Sequence, residues 1–115
     1  MWYTIKLVFR IEIAGKRSAQ FDEQVRLVEA ANETEAFEKA QAIGHKQQVS
    51  FTGSNNLLRK WIFIGTAAIV PLKELASGTQ CFSLTTEVDE PETYTNFVKE
   101  RSKQFEQKLS LTTLV

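Results

Sequence analysis

Residues 2–13 alternate without a break. Tyr3, Ile5, Leu7, Phe9, Ile11 and Ile13 fall on one side, and Trp2, Thr4, Lys6, Val8, Arg10 and Glu12 on the other. A period of two held this long specifies a strand with one buried and one mostly wet face, a pattern that no helix satisfies.

The rest of the chain reads outward from that strand. Ala14 to Gln20, with Gly15 and Ser18, is a turn, and Phe21 to Ala30 is a second strand that closes an antiparallel hairpin. In it Val25 and Leu27 alternate but Val28 breaks step, which predicts a bulge. Asn32 and Glu35 have capping-box spacing, and Ala36, Phe37, Ala40 and Ile43 recur at helical spacing, so a helix is expected over 33–47. Its acids (Glu33, Glu35, Glu38) come early and its bases (Lys39, His45, Lys46) mostly late, in keeping with the helix dipole. Gly44 is either a C-terminal stop or a close packing point.

Ser50 to Asn56 reads as a polar loop. The stretch that follows, residues 57–72, is apolar on both sides from Trp61 to Val70, the signature of a strand enclosed on both faces, and Pro71 ends its ladder. A turn over 73–79 leads to a fourth strand, Cys81 to Val88, with Phe82, Leu84 and Val88 on one side. Asp89-Glu90-Pro91-Glu92 starts a second helix. Tyr94, Phe97, Val98, Phe105 and Leu109 form its apolar face, Arg101, Lys103 and Lys108 lie toward its end, and Leu111 to Val115 is a short apolar tail.

The expected fold is one α+β domain over 1–115: a four-stranded, mainly antiparallel sheet with two helices packed on it, in the order ββαββα. Trp2 lines up with Trp61, and Phe37 with Phe97, which raises a duplication of a ββα unit into halves 1–56 and 57–115.

Composition narrows the function class. Fourteen Lys plus Arg balance fourteen Asp plus Glu, so no global field draws in nucleic acid or an acidic membrane. The single cysteine, Cys81, rules out an intramolecular disulfide and a cysteine-based zinc site of the usual kind, which fits a reducing compartment. The N-terminus lacks the form of a signal peptide, and the longest apolar stretch is far short of a membrane span. The expected location is the cytoplasm.

Candidate chemistry is sparse. His45, the one histidine, has no second ligand or base partner near it in sequence, and a solvated histidine at a helix end is the simpler reading. Cys81 follows Gln80 with no helix N-terminus beside it to stabilise a thiolate. Two acidic groups, Glu12 with Asp22 and Glu23, and Glu87 with Asp89, Glu90 and Glu92, have the residue types of paired-carboxylate catalysis. They equally match hairpin polarity and helix capping. Gly53-Ser54-Asn55-Asn56, followed by Arg59 and Lys60, could offer backbone N–H groups to an anion or simply connect strands. No nucleotide-binding glycine pattern, nucleophile elbow or paired-cysteine motif is present. The expectation is no catalytic residue, no metal and no cofactor.

Trp2-Tyr3 at the start of the first strand, the segment Ala30-Ala31-Asn32-Glu33-Thr34-Glu35-Ala36-Phe37-Glu38-Lys39-Ala40, and Lys60-Trp61-Ile62-Phe63-Ile64-Gly65 together resemble a bacterial family known as domain of unknown function 4288. The likeness covers about the first 70 residues. It implies a bacterial source and the strand order read above, and it implies no activity.

What remains is surface. A sheet with its helices on one side leaves the other side bare, and the doubly apolar strand must present something apolar there. The candidate binding residues are Trp2, Lys6, Arg10, Lys60 and Trp61. The favoured function is a protein-interaction module, as a homodimer or with another protein. The alternative is a nucleic-acid-binding sheet that stacks bases on Trp2 and Trp61. A small enzyme or ligand carrier comes third and needs a cavity that gathers Glu12, Asp22, His45 or Cys81.

Overall fold

The unbroken alternation becomes β1 (Trp2–Ile13), the strand on which the sheet is built. The computed structural model describes residues 1–53 and 55–113, so Ser54 of the expected loop and Leu114 and Val115 of the expected tail lie outside the described residues. β1 pairs antiparallel with β2 (Gln20–Glu29) in steady register from Trp2 opposite Glu29 to Ile11 opposite Gln20. Gly15 turns the hairpin at φ 82°, a left-handed conformation that a Cβ would strain.

No bulge interrupts β2, contrary to the reading of Val28. Val28 sits opposite Tyr3 and is buried with it, whereas Leu27 and Val25 sit opposite Thr4 and Lys6 on the other face. The broken apolar pattern is simply a strand with apolar side chains on both faces.

α1 (Glu33–Lys46) follows, capped as expected. The Asn32 Oδ1 accepts from the Glu35 N–H at 2.9 Å, and the Glu35 carboxylate accepts from the Ala31 N–H at 2.9 Å. That backbone bond, together with Lys39 at 3.2 Å, holds the Glu35 carboxyl below its ordinary pKa. α1 packs on the odd-numbered face of β1. Ala36 and Ala40, both fully buried, let its backbone approach the sheet. Gly44 is a packing point and not the stop, which is Gln47: a Cβ at position 44 would overlap the ring of Phe63. Tyr3, Ile5, Leu7, Phe9, Val28, Ala30 and Phe63 complete this core, with Ile43, Trp61 and Ile69 at its edge.

The segment expected as a polar loop over 50–56 instead begins with a strand, β3 (Val49–Thr52), paired with the start of β4 (Leu58–Leu72). Val49, Ser50, Phe51 and Thr52 alternate apolar and polar, but over four residues only, and all four side chains are exposed. The strand order is β2-β1-β4-β3, every pair antiparallel. Just before β3, the Gln48 side chain extends the pairing and accepts from the Phe63 N–H at 3.1 Å.

β4 carries the irregularity that β2 lacks. Its register against β1 shifts between Lys6 and Leu7 and again between Val8 and Phe9, so Ala67 and Ile64 have no partner across the ladder. Trp61, Phe63, Thr66 and Ile69 therefore share the α1 face, and Ile62, Gly65, Ala68 and Val70 share the other. The run from Trp61 to Val70 was expected to be enclosed on both sides. Phe63 is buried on the helix side, but Ile64 is exposed and Ile62, Ala68 and Val70 are half-buried. The continuous apolar run is two alternating faces plus two bulge residues.

Residues 73–83 finish the first compact unit, Met1–Ser83, with a turn in which the Thr79 N–H donates to the Ala76 carbonyl at 3.1 Å. The Phe82 ring lies 5.2 Å from the Lys6 ammonium, on the face of β1 away from α1. The strand expected over Cys81 to Val88 is absent. β-propensity makes no strand without a ladder partner, and Phe82 is used against a side chain instead.

The second unit, Leu84–Val115, holds α2 (Pro91–Thr113), which opens on Pro91 with the Thr93 hydroxyl on the Glu90 carboxylate at 3.2 Å. The tail expected from Leu111 continues this helix through Thr113, which leaves Arg101 and Lys103 in its middle and no base in its last turn. The order is ββαββα, with β3 lying before residue 57 and β4 after it. Among the described residues no helix is long and apolar enough to cross a membrane.

Candidate functional site

Cross-strand partners share a face. The even residues of β1 are therefore joined by Phe21, Glu23, Val25, Leu27 and Glu29 of β2 on the side away from α1. This face has an apolar row along β2: Phe21 is 59% exposed, Val25 54% and Leu27 50%, with Trp2 at 46% beside them. Toward β4 the same face is better covered. Thr4 and Leu72 are buried, and the Thr4 hydroxyl has no hydrogen-bond partner among the described residues.

Four of the five residues expected at the binding surface meet here. Trp2, Lys6 and Arg10 point from β1, and Lys60 joins them opposite Glu12. Lys6 is tied to Glu23 at 2.9 Å and shielded beneath Phe82. Arg10 pairs with Glu12 at 3.2 Å, and its guanidinium lies 6.0 Å from the Phe21 ring centroid. Trp61 is separated from them. It sits opposite Ile11 on the α1 face, packed against the core.

The β2 row of Phe21, Val25 and Leu27 was not singled out from sequence. The signal existed: counting back from the hairpin turn with a period of two puts Val25 opposite Lys6 and not opposite Ile5.

At the hairpin end, Arg10, Glu12, Ile13, Lys16, Leu58 and Lys60 line an open groove of about 370 Å³. Three cations face one carboxylate, and that carboxylate is already paired with Arg10. Of the four residues needed for a small active site, this groove holds Glu12 alone. Asp22 is opposite Phe9 on the helix face and accepts from the Gln24 amide at 2.6 Å, so it and Glu23 project to opposite sides of the sheet. His45 lies edge-on to Phe63 with ring centroids 5.1 Å apart. Cys81 is exposed, its Sγ 3.6 Å from the Thr79 carbonyl. Glu90 is engaged in the start of α2. Of the expected anion loop, the Gly53 N–H donates to the Leu57 carbonyl at 3.1 Å and the Asn56 N–H to the Gly53 carbonyl at 3.0 Å, and Ser54 lies outside the described residues. Among the described residues no group of three or more His, Cys, Asp or Glu is placed to hold a metal ion.

An apolar row flanked by Glu23, Glu29, Arg10 and Lys6 suits a complementary apolar surface with charges at its margin.

No curated protein and no solved structure matches the chain. A family model described as Domain of unknown function (DUF4288) matches residues 2–83, a span that takes in the whole sheet, α1 and the Phe82 segment, and the chain belongs to that family.

Proposed function

We propose that this chain is a protein-interaction module that works through the open face of its sheet and performs no catalysis of its own. One observation carries the reading: Phe21, Val25 and Leu27 form an exposed apolar row along the face of β2 that is turned away from α1. The water-facing half of each of these side chains gains nothing from the fold of the chain and would be covered by association.

The test compares the wild-type chain with Val25→Glu/Leu27→Glu as bait in a host lysate, with light scattering of each across a concentration series. The expected result is that association, with itself or with a captured protein, is lost in the variant while circular dichroism is unchanged. Equal association by both proteins overturns the reading.

The groove of Arg10, Lys16 and Lys60 favours a second reading, in which nucleic-acid phosphates bind at the hairpin end. Against it, Trp61 is on the other face and Lys6 is engaged by Glu23, which removes the stacking pair that this reading needs. Salt-sensitive binding of mixed oligonucleotides that is lost in Lys16→Ala/Lys60→Ala is its expected signature.

A further inference from the structure

We propose that the outer edge of β4 pairs with the same edge of a second copy of this chain, antiparallel and about a two-fold axis at Ala67. Two four-stranded sheets then become one of eight strands. This surface is separate from the open face and goes beyond the reading of that face.

β4 has 15 residues and β3 has four. β1 pairs with β4 along its inner edge as far as Leu72, but β3 covers the outer edge only from Leu58 to Trp61. The Gln48 side chain adds the Phe63 N–H. From Ile64 to Val70 no strand among the described residues pairs with the outer edge. Outside the β1 ladder, the backbone there makes no hydrogen bond among the described residues. A row of strand N–H and C=O groups is met in full only by another extended backbone, which fixes the class of partner.

The two edges of the sheet differ in charge. β2, the opposite edge, carries Asp22, Glu23, Arg26 and Glu29 within ten residues, and charges of this kind keep an edge strand from pairing. From Trp61 to Leu72 there is no charged residue. Ile64, Thr66, Ile69 and Val70 are β-branched, the residue type that suits a strand.

Symmetry selects a second copy as the partner. The unpaired run is bounded by Phe63, whose N–H is bound to Gln48, and by Pro71, which has no N–H. Ala67 lies midway between them. Antiparallel pairing of two copies about Ala67 sets Phe63 against Pro71, Ile64 against Val70, Gly65 against Ile69 and Thr66 against Ala68. The two positions that cannot donate meet each other, and every residue between them faces an uncharged one. In the same register Leu72, the last residue of β4, falls opposite Ile62, next to Trp61 where the pairing with β3 begins. Neither copy's β3 has to move. Ala67 is exposed and has no partner in β1, so the axis falls on a residue with no other engagement across the ladder. Opposite residues of an antiparallel pair share a side. Both α1 helices therefore lie on one side of the joined sheet, and both open faces lie together on the other.

The experiment places charge at the axis of the full chain. Ala67→Lys and Ala67→Glu are studied alone and mixed in equal amounts, by light scattering over a concentration series and by native mass spectrometry. The wild-type chain is expected to reach the mass of two chains. Each variant alone is expected to associate about tenfold more weakly or worse, because like charges meet across the axis, with circular dichroism unchanged. The mixture is expected to regain the two-chain mass as a mixed dimer, which a misfolded variant could not do. A wild-type chain that is monomeric at every concentration, a dimer indifferent to both charges, or a mixture that stays monomeric would each overturn the inference. Val25→Glu/Leu27→Glu is expected to leave this dimer intact, so the test of the open face is read in the Ala67→Lys background, where the edge no longer contributes. If Val25→Glu/Leu27→Glu abolishes self-association and the Ala67 variants do not, the edge pairing is wrong and the reading of the open face stands.

Discussion

Phe9 and Phe21 are the same side chain one ladder step apart on neighbouring strands, and Phe9 is fully buried while Phe21 is 59% exposed. The difference lies in the two faces of one sheet. On the α1 side, Phe9 meets Phe63 at 5.4 Å between ring centroids, and Ala36, Ala40 and Gly44 bring the helix close. On the other side, Phe21 has the Arg10 guanidinium 6.0 Å from its ring centroid. Apolarity of the residue does not decide burial here. The helix over β1 does, and along β2 the face turned away from it still carries Phe21, Val25 and Leu27.

That contrast can be broken from either side. The largest effect is expected at Phe9→Ala, which leaves a cavity between α1 and the sheet and costs about 3–5 kcal/mol of unfolding free energy, readable in a urea titration. A loss below about 1 kcal/mol would mean that this face is not the core. Next is Gly44→Ala. The added methyl overlaps the Phe63 ring, and the strain outweighs the better helix propensity of alanine, for a net loss of about 1–2 kcal/mol. Stabilisation instead would show that helix and sheet have room to separate.

Asn32→Ala removes the cap that anchors α1 above the core, at a cost of about 1 kcal/mol in thermal denaturation. Its partner Glu35 adds a pH signature. Because its folded pKa is depressed, chiefly by the Ala31 N–H and then by Lys39, its stabilisation is present at neutral pH and is lost as pH falls through the carboxylate range. Glu35→Gln is expected to remove that part of the acid sensitivity, seen as a smaller change in melting temperature between about pH 7 and about pH 3. The smallest effect belongs to Phe21→Ala, within about 0.5 kcal/mol for the isolated chain at high dilution. If it matched Phe9→Ala under those conditions, the two faces would not differ as described.

Much of this was legible in residues alone, wherever a local rule was strong. The twelve-residue alternation of β1, the Asn32–Glu35 cap and the Pro91 helix start are interactions within a few residues of each other, and the structure has each of them. The misreadings share a cause. β3 is a four-residue edge strand with no buried side, and its alternation is too short to mark it. Cys81 to Val88 has the composition of a strand and no ladder to join. The surface residues divided for the same reason: Trp2, Lys6 and Arg10 follow from β1's own alternation, while the face taken by Trp61 depends on how β4 is registered against β1.

By itself the sequence determined β1, β2, α1, β4 and the start of α2, together with the conclusion that one side of β1 is core. Those follow from side-chain period and from caps, which act over a turn or a strand length. Only the tertiary structure decided which strands are neighbours, where the two bulges of β4 fall, and that Phe21, Val25 and Leu27 share a side with Trp2 and not with Trp61. Register is a relation between distant segments, and a shift of one residue exchanges the faces of a strand without altering a single letter of it.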